Sequence, residues 1–130
     1  MNTIQFLTDP SFRRAGRGCI ALCEPLVVHD TMDGGSREWI VPVGYVSDGG
    51  TIPPWAWAIV GHPYSGSALR PFLWHDLMCS DRSHGLSARN VHDRLHRALL
   101  CEGDARARAN LIYWAVVWRG PRWAAAPATP

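Results

Sequence analysis

The fold is decided by the stretch Ser47-Asp48-Gly49-Gly50-Thr51-Ile52-Pro53-Pro54 and by the pair His75-Asp76, which follows it about twenty residues later. The first stretch predicts a strand end, a glycine turn and a helix start, because Thr51 can cap a helix and proline is tolerated in its first turn. His75 and Asp76 lie in an apolar run, residues 69–78. Two ionisable side chains in such a run need a structural or functional reason.

Length and composition predict one globular domain. The chain has 130 residues, of which 47% are apolar and 18% are charged, and it contains 7 tryptophans. A chain of this length suits a single domain, and the tryptophans predict a core built on large rings. We expect the domain to span residues 1–120 and residues 121–130 to form a flexible tail.

The basic residues and the cysteines argue against several classes of protein. All 13 basic residues are arginines, spread along the chain without a recognition motif, so we expect no nucleic-acid partner. The four cysteines have no C-x-x-C spacing, which favours buried free thiols over disulfides or a zinc knuckle. No apolar run is long enough to span a bilayer, and we expect no signal peptide.

Hydrophobic periodicity predicts an α+β fold in which a small antiparallel sheet packs against three to four helices. Residues 19–29 and 39–46 lie on either side of a glycine turn and predict a β-hairpin, with Pro25 and Pro42 at edges or bulges. Helices are predicted over residues 53–60, 67–79, 88–101 and 104–118. Ser67, Ser87 and Asp104 are the predicted caps of the last three helices.

Several motifs occur in a characteristic order: the glycine loop, His75-Asp76 within a helix, residues 93–99 in the next helix, and Tyr113-Trp114-Ala115-Val116 in the last. In this order the chain resembles the phage and prophage family called domain of unknown function 1353, over roughly residues 19–120. The resemblance implies a phage-encoded protein, in the virion or the host cytoplasm, and it names no reaction. Leu77-Met78-Cys79 replace the family's usual aromatic residues, so an aromatic hydroxyl is missing from this place.

The succession of a glycine loop, His-Asp on one helix and Asp on the next is also similar to secreted phospholipase A2 enzymes. This resemblance implies that Asp76, with backbone carbonyls near Gly49 and Gly50, holds a divalent cation, calcium rather than zinc. It also implies that His75 is a general base and that Asp93 orients it. Side chains of neighbouring helix residues point about 100° apart, so the pair can face a second helix and a loop.

Two hypotheses follow for the function. The first is a metal-assisted, hydrolase-like site that acts on an acyl ester or amide of the host envelope, with Asp48 and Thr51 positioning the loop. The second is a non-enzymatic structural or tail-associated phage protein in which His75-Asp76 is architectural. In that case the pair orders the loop by hydrogen bonding to its backbone.

His92 and His96 form a rival metal site. Histidines at i and i+4 can share a zinc ion, as in the H-E-x-x-H peptidases. Here aspartate replaces the glutamate that would reach the water, and a lone histidine pair in an arginine-rich helix is usually a surface feature.

The last predicted helix is apolar on every side over residues 111–118, whereas a helix exposed to water keeps one polar face. We therefore expect Trp114, Trp118 and Trp123 to pack against another copy of the chain or a phage structural protein. Arg119 and Arg122 are expected at the rim of that contact. A fully intramolecular core is the alternative.

Overall fold

A computed structural model describes residues 2–16, 19–47 and 69–125 of the chain. The predicted loop residues Asp48, Gly49, Gly50 and Thr51 lie outside these ranges, as does the helix predicted over residues 53–60. Within the described ranges, short strands and three α-helices confirm the predicted α+β fold. The strands form two antiparallel sheets of three strands each, where one small sheet is predicted.

In chain order the strands are β1 (Ile4–Phe6), β2 (Phe12–Arg14), β3 (Ile20–Leu22), β4 (Leu26–Asp30), β5 (Arg37–Val41) and β6 (Val46–Ser47). The helices are α1 (Leu69–Ser80), α2 (Ala88–Cys101) and α3 (Arg106–Arg119). One sheet has the strand order β1-β4-β5 and the other β2-β3-β6. No helix within these ranges is long and apolar enough to cross a membrane.

The predicted hairpin contributes strands to both sheets. β4 pairs with β5, with Leu26 opposite Val41, and β3 pairs with β6 in the continuation of the same register. Each arm carries a proline between its two strands, Pro25 in one and Pro42 in the other. Proline has no N–H to donate to a ladder, so one long hairpin divides at these positions into parts of two sheets.

Two of the predicted helix caps, Ser87 and Asp104, can be compared with the structure, whereas Ser67 lies outside the described residues. The Ser87 hydroxyl accepts a hydrogen bond from the N–H of Asn90 at 3.2 Å and caps α2, as predicted. The last helix begins after Ala105, which makes no side-chain cap. Asp104 therefore does not cap α3 in the predicted way, and its carboxylate instead pairs with Arg108 one turn later.

Helix α1 lies at the centre of the fold. On one side Trp74 packs against the first sheet, where its ring centroid lies 5.7 Å from that of Trp39. On another side Phe72 joins a cluster with Leu95 of α2 and Ile112 of α3. Residues 71–75 and Met78 of α1 are buried by this packing, which places His75 in the interior.

The segment after α3 is held against the core as far as Trp123, although a flexible tail is predicted from residue 121. The indole N–H of Trp123 donates to the carbonyl of Leu86 at 2.7 Å, and its own carbonyl accepts from the N–H of Ala88 at 3.0 Å. The Pro121 carbonyl lies 3.0 Å from Nε2 of His92. Residues 126–130 lie outside the described residues.

Candidate functional site

The side chain of His75 is 0% exposed and hydrogen bonds to a second histidine. Its Nε2 lies 2.9 Å from Nδ1 of His92 on α2. A carbonyl oxygen can only accept, so Nε2 of His92 carries the proton that is donated to Pro121. In the neutral ring Nδ1 of His92 is then an acceptor, and His75 must be the donor.

Burial, and then the neighbouring His92, lowers the pKa of His75 to about 3. Burial also lowers the pKa of His92. Both rings are therefore neutral at pH 7, in agreement with the directions of their hydrogen bonds. The Cys79 thiol lies 3.7 Å from Nε2 of His75, but burial, and then Asp76, raises its pKa to about 12. This thiol is not an activated nucleophile.

Asp93 does not contact His75, contrary to the role that the phospholipase resemblance implies. Its carboxylate accepts a hydrogen bond from the Tyr113 hydroxyl of α3 at 2.7 Å, and Arg89 lies 4.0 Å away. Adjacent helix residues point about 100° apart, so α2 directs His92 toward α1 and Asp93 toward α3. The partner of His75 is thus the residue before the predicted one.

Asp76 lies beside an aromatic hydroxyl that the hairpin supplies. Oη of Tyr45 is 3.3 Å from Oδ2 of Asp76 and 3.2 Å from Oγ of Ser80. The pKa of Tyr45 is raised to about 12, mainly because its hydroxyl is partly buried. Tyr45 lies 31 positions before Asp76, so sequence spacing could not reveal this contact.

The predicted ligands of a metal ion are only partly described. Gly49 and Gly50 lie outside the described residues, which contribute Asp76 alone to the predicted calcium site. His92 uses both ring nitrogens in hydrogen bonds, and Nε2 of His96 lies 2.7 Å from Oδ1 of Asn110. Within the described part of the chain, no group of three His, Cys, Asp or Glu side chains could hold an ion.

Arg94 is a buried polar residue that no sequence motif marks. Its guanidinium lies 2.8 Å from Asp30 of β4, 2.8 Å from Asp33 in the hairpin turn and 2.9 Å from Asn90 of α2. Burial acts to lower the pKa of Arg94, but the hydrogen bonds to Asp33 and Asp30 outweigh it and the pKa is raised. This network joins α2 to the first sheet.

The outer side of α3 exposes large apolar side chains. Leu111 is 51% exposed, Trp114 60% and Trp118 75%, whereas Ile112 and Val116 are buried. The spacing of the exposed residues is i, i+3 and i+7, which aligns them along one face of the helix. The described part of the chain therefore covers only one side of this apolar helix.

Three comparisons with known proteins bear on the identity of the chain. No solved structure matches it. The uncharacterized proteins y4jT and y4iH of Sinorhizobium fredii are 33% identical over 91 residues and 34% identical over 77 residues. These matches cover 70% and 59% of this chain but 26% and 31% of the relatives, so the chain spans about a quarter to a third of their length. The family described as "Protein of unknown function (DUF1353)" matches residues 20–116, and the chain belongs to this family.

Proposed function

We propose that this chain is a non-enzymatic structural or interaction domain in which His75-Asp76 is an architectural motif. The observation that carries the proposal is the burial of His75, whose ring is 0% exposed and donates its proton to His92. A general base has to come within hydrogen-bond reach of a substrate. A buried and hydrogen-bonded ring is better suited to holding two segments together than to acting as a general base.

The motif links segments that are distant in sequence. His75 joins α1 to α2, and the same hydrogen-bond chain continues through His92 to the segment after α3. Asp76 joins α1 to Tyr45 at the end of the hairpin. A buried polar group left without its partner costs roughly 1–3 kcal/mol, so these bonds favour one arrangement of the segments.

The proposal extends to a phage or prophage origin and a place in a tail or another assembly. The motif order resembles the phage family, and the matched relatives are bacterial proteins, as expected for genes carried in a bacterial genome. The matched region is a small part of each relative, which suits a building block of larger proteins. Contact with another copy or with a phage structural protein would use the face of α3 that bears Trp114 and Trp118.

The architectural role can be tested by unfolding the His75→Ala variant in urea. The variant loses ring contacts in the core and leaves Nδ1 of His92 without its donor, so we expect a loss of about 2–4 kcal/mol in the free energy of unfolding. Arg97→Ala, on the exposed face of α2, is the control and should change it by less than about 0.5 kcal/mol. Equal effects of the two substitutions would contradict the proposal.

A second candidate is the metal-assisted, phospholipase-like hydrolase site, in which Asp76 and the carbonyls of Gly49 and Gly50 hold calcium. The partly exposed Asp76 favours it, because the Tyr45 hydroxyl beside this carboxylate supplies the missing aromatic group. Bound calcium would raise the melting temperature of the wild-type chain by mass action and would not raise that of Asp76→Asn. A wild-type melting temperature independent of calcium would reject this candidate.

A further inference from the structure

Strand β5 is an edge of the first sheet, because among the described residues only β4 pairs with it. The hydrogen bonds of Val27 decide which backbone groups face that edge. Val27 bonds toward β1, through its carbonyl to Leu7 and its N–H to Thr8, so it does not bond to Ile40 opposite it. By the alternation of an antiparallel ladder, Ile40 and Glu38 then direct their N–H and C=O groups away from β4.

A groove of about 260 Å³ runs along this edge. The consecutive residues 37–40 line one side of the groove. Leu77, Asp81 and His84 are among the residues that line the other side. Consecutive residues point to opposite faces of a sheet, so a groove lined by all four follows the backbone edge itself. Ile40 is 56% exposed beside it, and no described residue bonds to the outward N–H and C=O groups.

We propose that the β5 edge pairs with β5 of a second copy of this chain. The pairing is antiparallel, with Trp39 opposite its counterpart on the two-fold axis. In this register Glu38 lies opposite Ile40 of the other copy, and both residues present bonding groups outward. Each copy then satisfies two N–H and two C=O groups, and the two sheets join into one.

The charges and the proline of this segment select that register over its neighbours. An axis at Glu38 would bring two carboxylates directly opposite each other, which is destabilising. An axis at Ile40 would place Glu38 opposite Pro42, which has no N–H and whose carbonyl already accepts from the N–H of Tyr45 at 3.1 Å. The axis at Trp39 avoids both and brings the two Ile40 side chains within diagonal reach.

Sedimentation equilibrium of the full chain tests the pairing. The parent protein carries Trp114→Gln and Trp118→Gln, so that the α3 face does not contribute. We expect a weak dimer, with a dissociation constant on the order of 100 μM because the paired strands are short. Ile40→Glu should weaken the dimer at least about tenfold, because it places a second carboxylate directly opposite Glu38 of the other copy. Val43→Glu adds the same charge at an exposed residue of the following turn and should leave the dimer unchanged.

Amide hydrogen exchange of the same parent protein identifies the surface that pairs. The amides of Glu38 and Ile40 should exchange more slowly as the protein concentration rises, whereas that of Trp39, which faces β4, should not change. A monomeric parent or equal effects of the two glutamate substitutions would overturn the proposal. Edge amides that exchange at the same rate in monomer and dimer would also overturn it. Slower edge exchange on adding an unrelated extended peptide, with the parent still monomeric, would also overturn it.

Discussion

At the scale of single residues, Arg94 forms a buried ion pair with Asp30 that joins α2 to the first sheet. The guanidinium is almost fully buried and bonds to Asp30, which also accepts from the indole N–H of Trp39 at 3.0 Å. Removing one member of a buried pair leaves an uncompensated charge, whereas a solvated charge is removed at little cost. The stability lost on removing an arginine therefore depends on whether its partner carboxylate is buried.

We expect Arg94→Met to lower the free energy of unfolding by about 3–5 kcal/mol, because the carboxylate of Asp30 stays buried without its cation. Arg97→Met removes the same charge from an exposed position of α2 and should change it by about 0.5 kcal/mol or less. The urea midpoints of the two variants measure the difference. Similar midpoints would mean that the Arg94 network contributes little to the fold.

The sequence could predict that His75 and Asp76 need a reason, because ionisable groups in an apolar run are unusual. It could not predict their partners. Asp30 and Arg94 lie 64 positions apart, and His75 and His92 lie 17 apart in different helices. Spacing arguments hold within one helix or strand, whereas these contacts depend on how α1 and α2 rotate against each other and against the hairpin.

At the scale of elements, the hairpin and α2 were accessible to prediction, because period-two alternation and a Ser87 cap are local signals. The division of the hairpin into two sheets was less accessible, although Pro25 and Pro42 mark the places. The structure also places a free apolar face on α3, whose sequence alone did not distinguish an exposed side from a covered one. A hydrophobic pattern gives the amount of apolar surface but not what covers it.

We expect the α3 face to mediate self-association of the wild-type chain. Trp114→Gln with Trp118→Gln should lower the weight-average mass in sedimentation, because contact between large exposed apolar faces is favourable. Phe12→Gln, an exposed aromatic residue of β2, is the control and should not change it. Truncation after residue 120 is less informative, because it also removes the bonds of Trp123 to the core. A wild-type monomer would contradict this expectation.

At the scale of the whole molecule, folding determines the protonation of His75. The pKa of this ring is about 3 in the folded chain, below the usual 6.5 of an unfolded chain. Below pH 6.5 the unfolded chain therefore binds a proton that the folded chain excludes, and the stability from this residue is lost as the pH falls toward 3. Between pH 7 and pH 5 the loss from this one ring is about 2 kcal/mol.

A titration of the imidazole nitrogens of His75 by NMR in the folded protein shows whether this ring is a buried structural link. We expect His75 to stay neutral at pH 5, with the proton on Nε2 and a coupling across its hydrogen bond to Nδ1 of His92. A ring that takes up a proton near pH 6.5, with no coupling to His92, would contradict it. Such a ring would be open to solvent and available for catalysis.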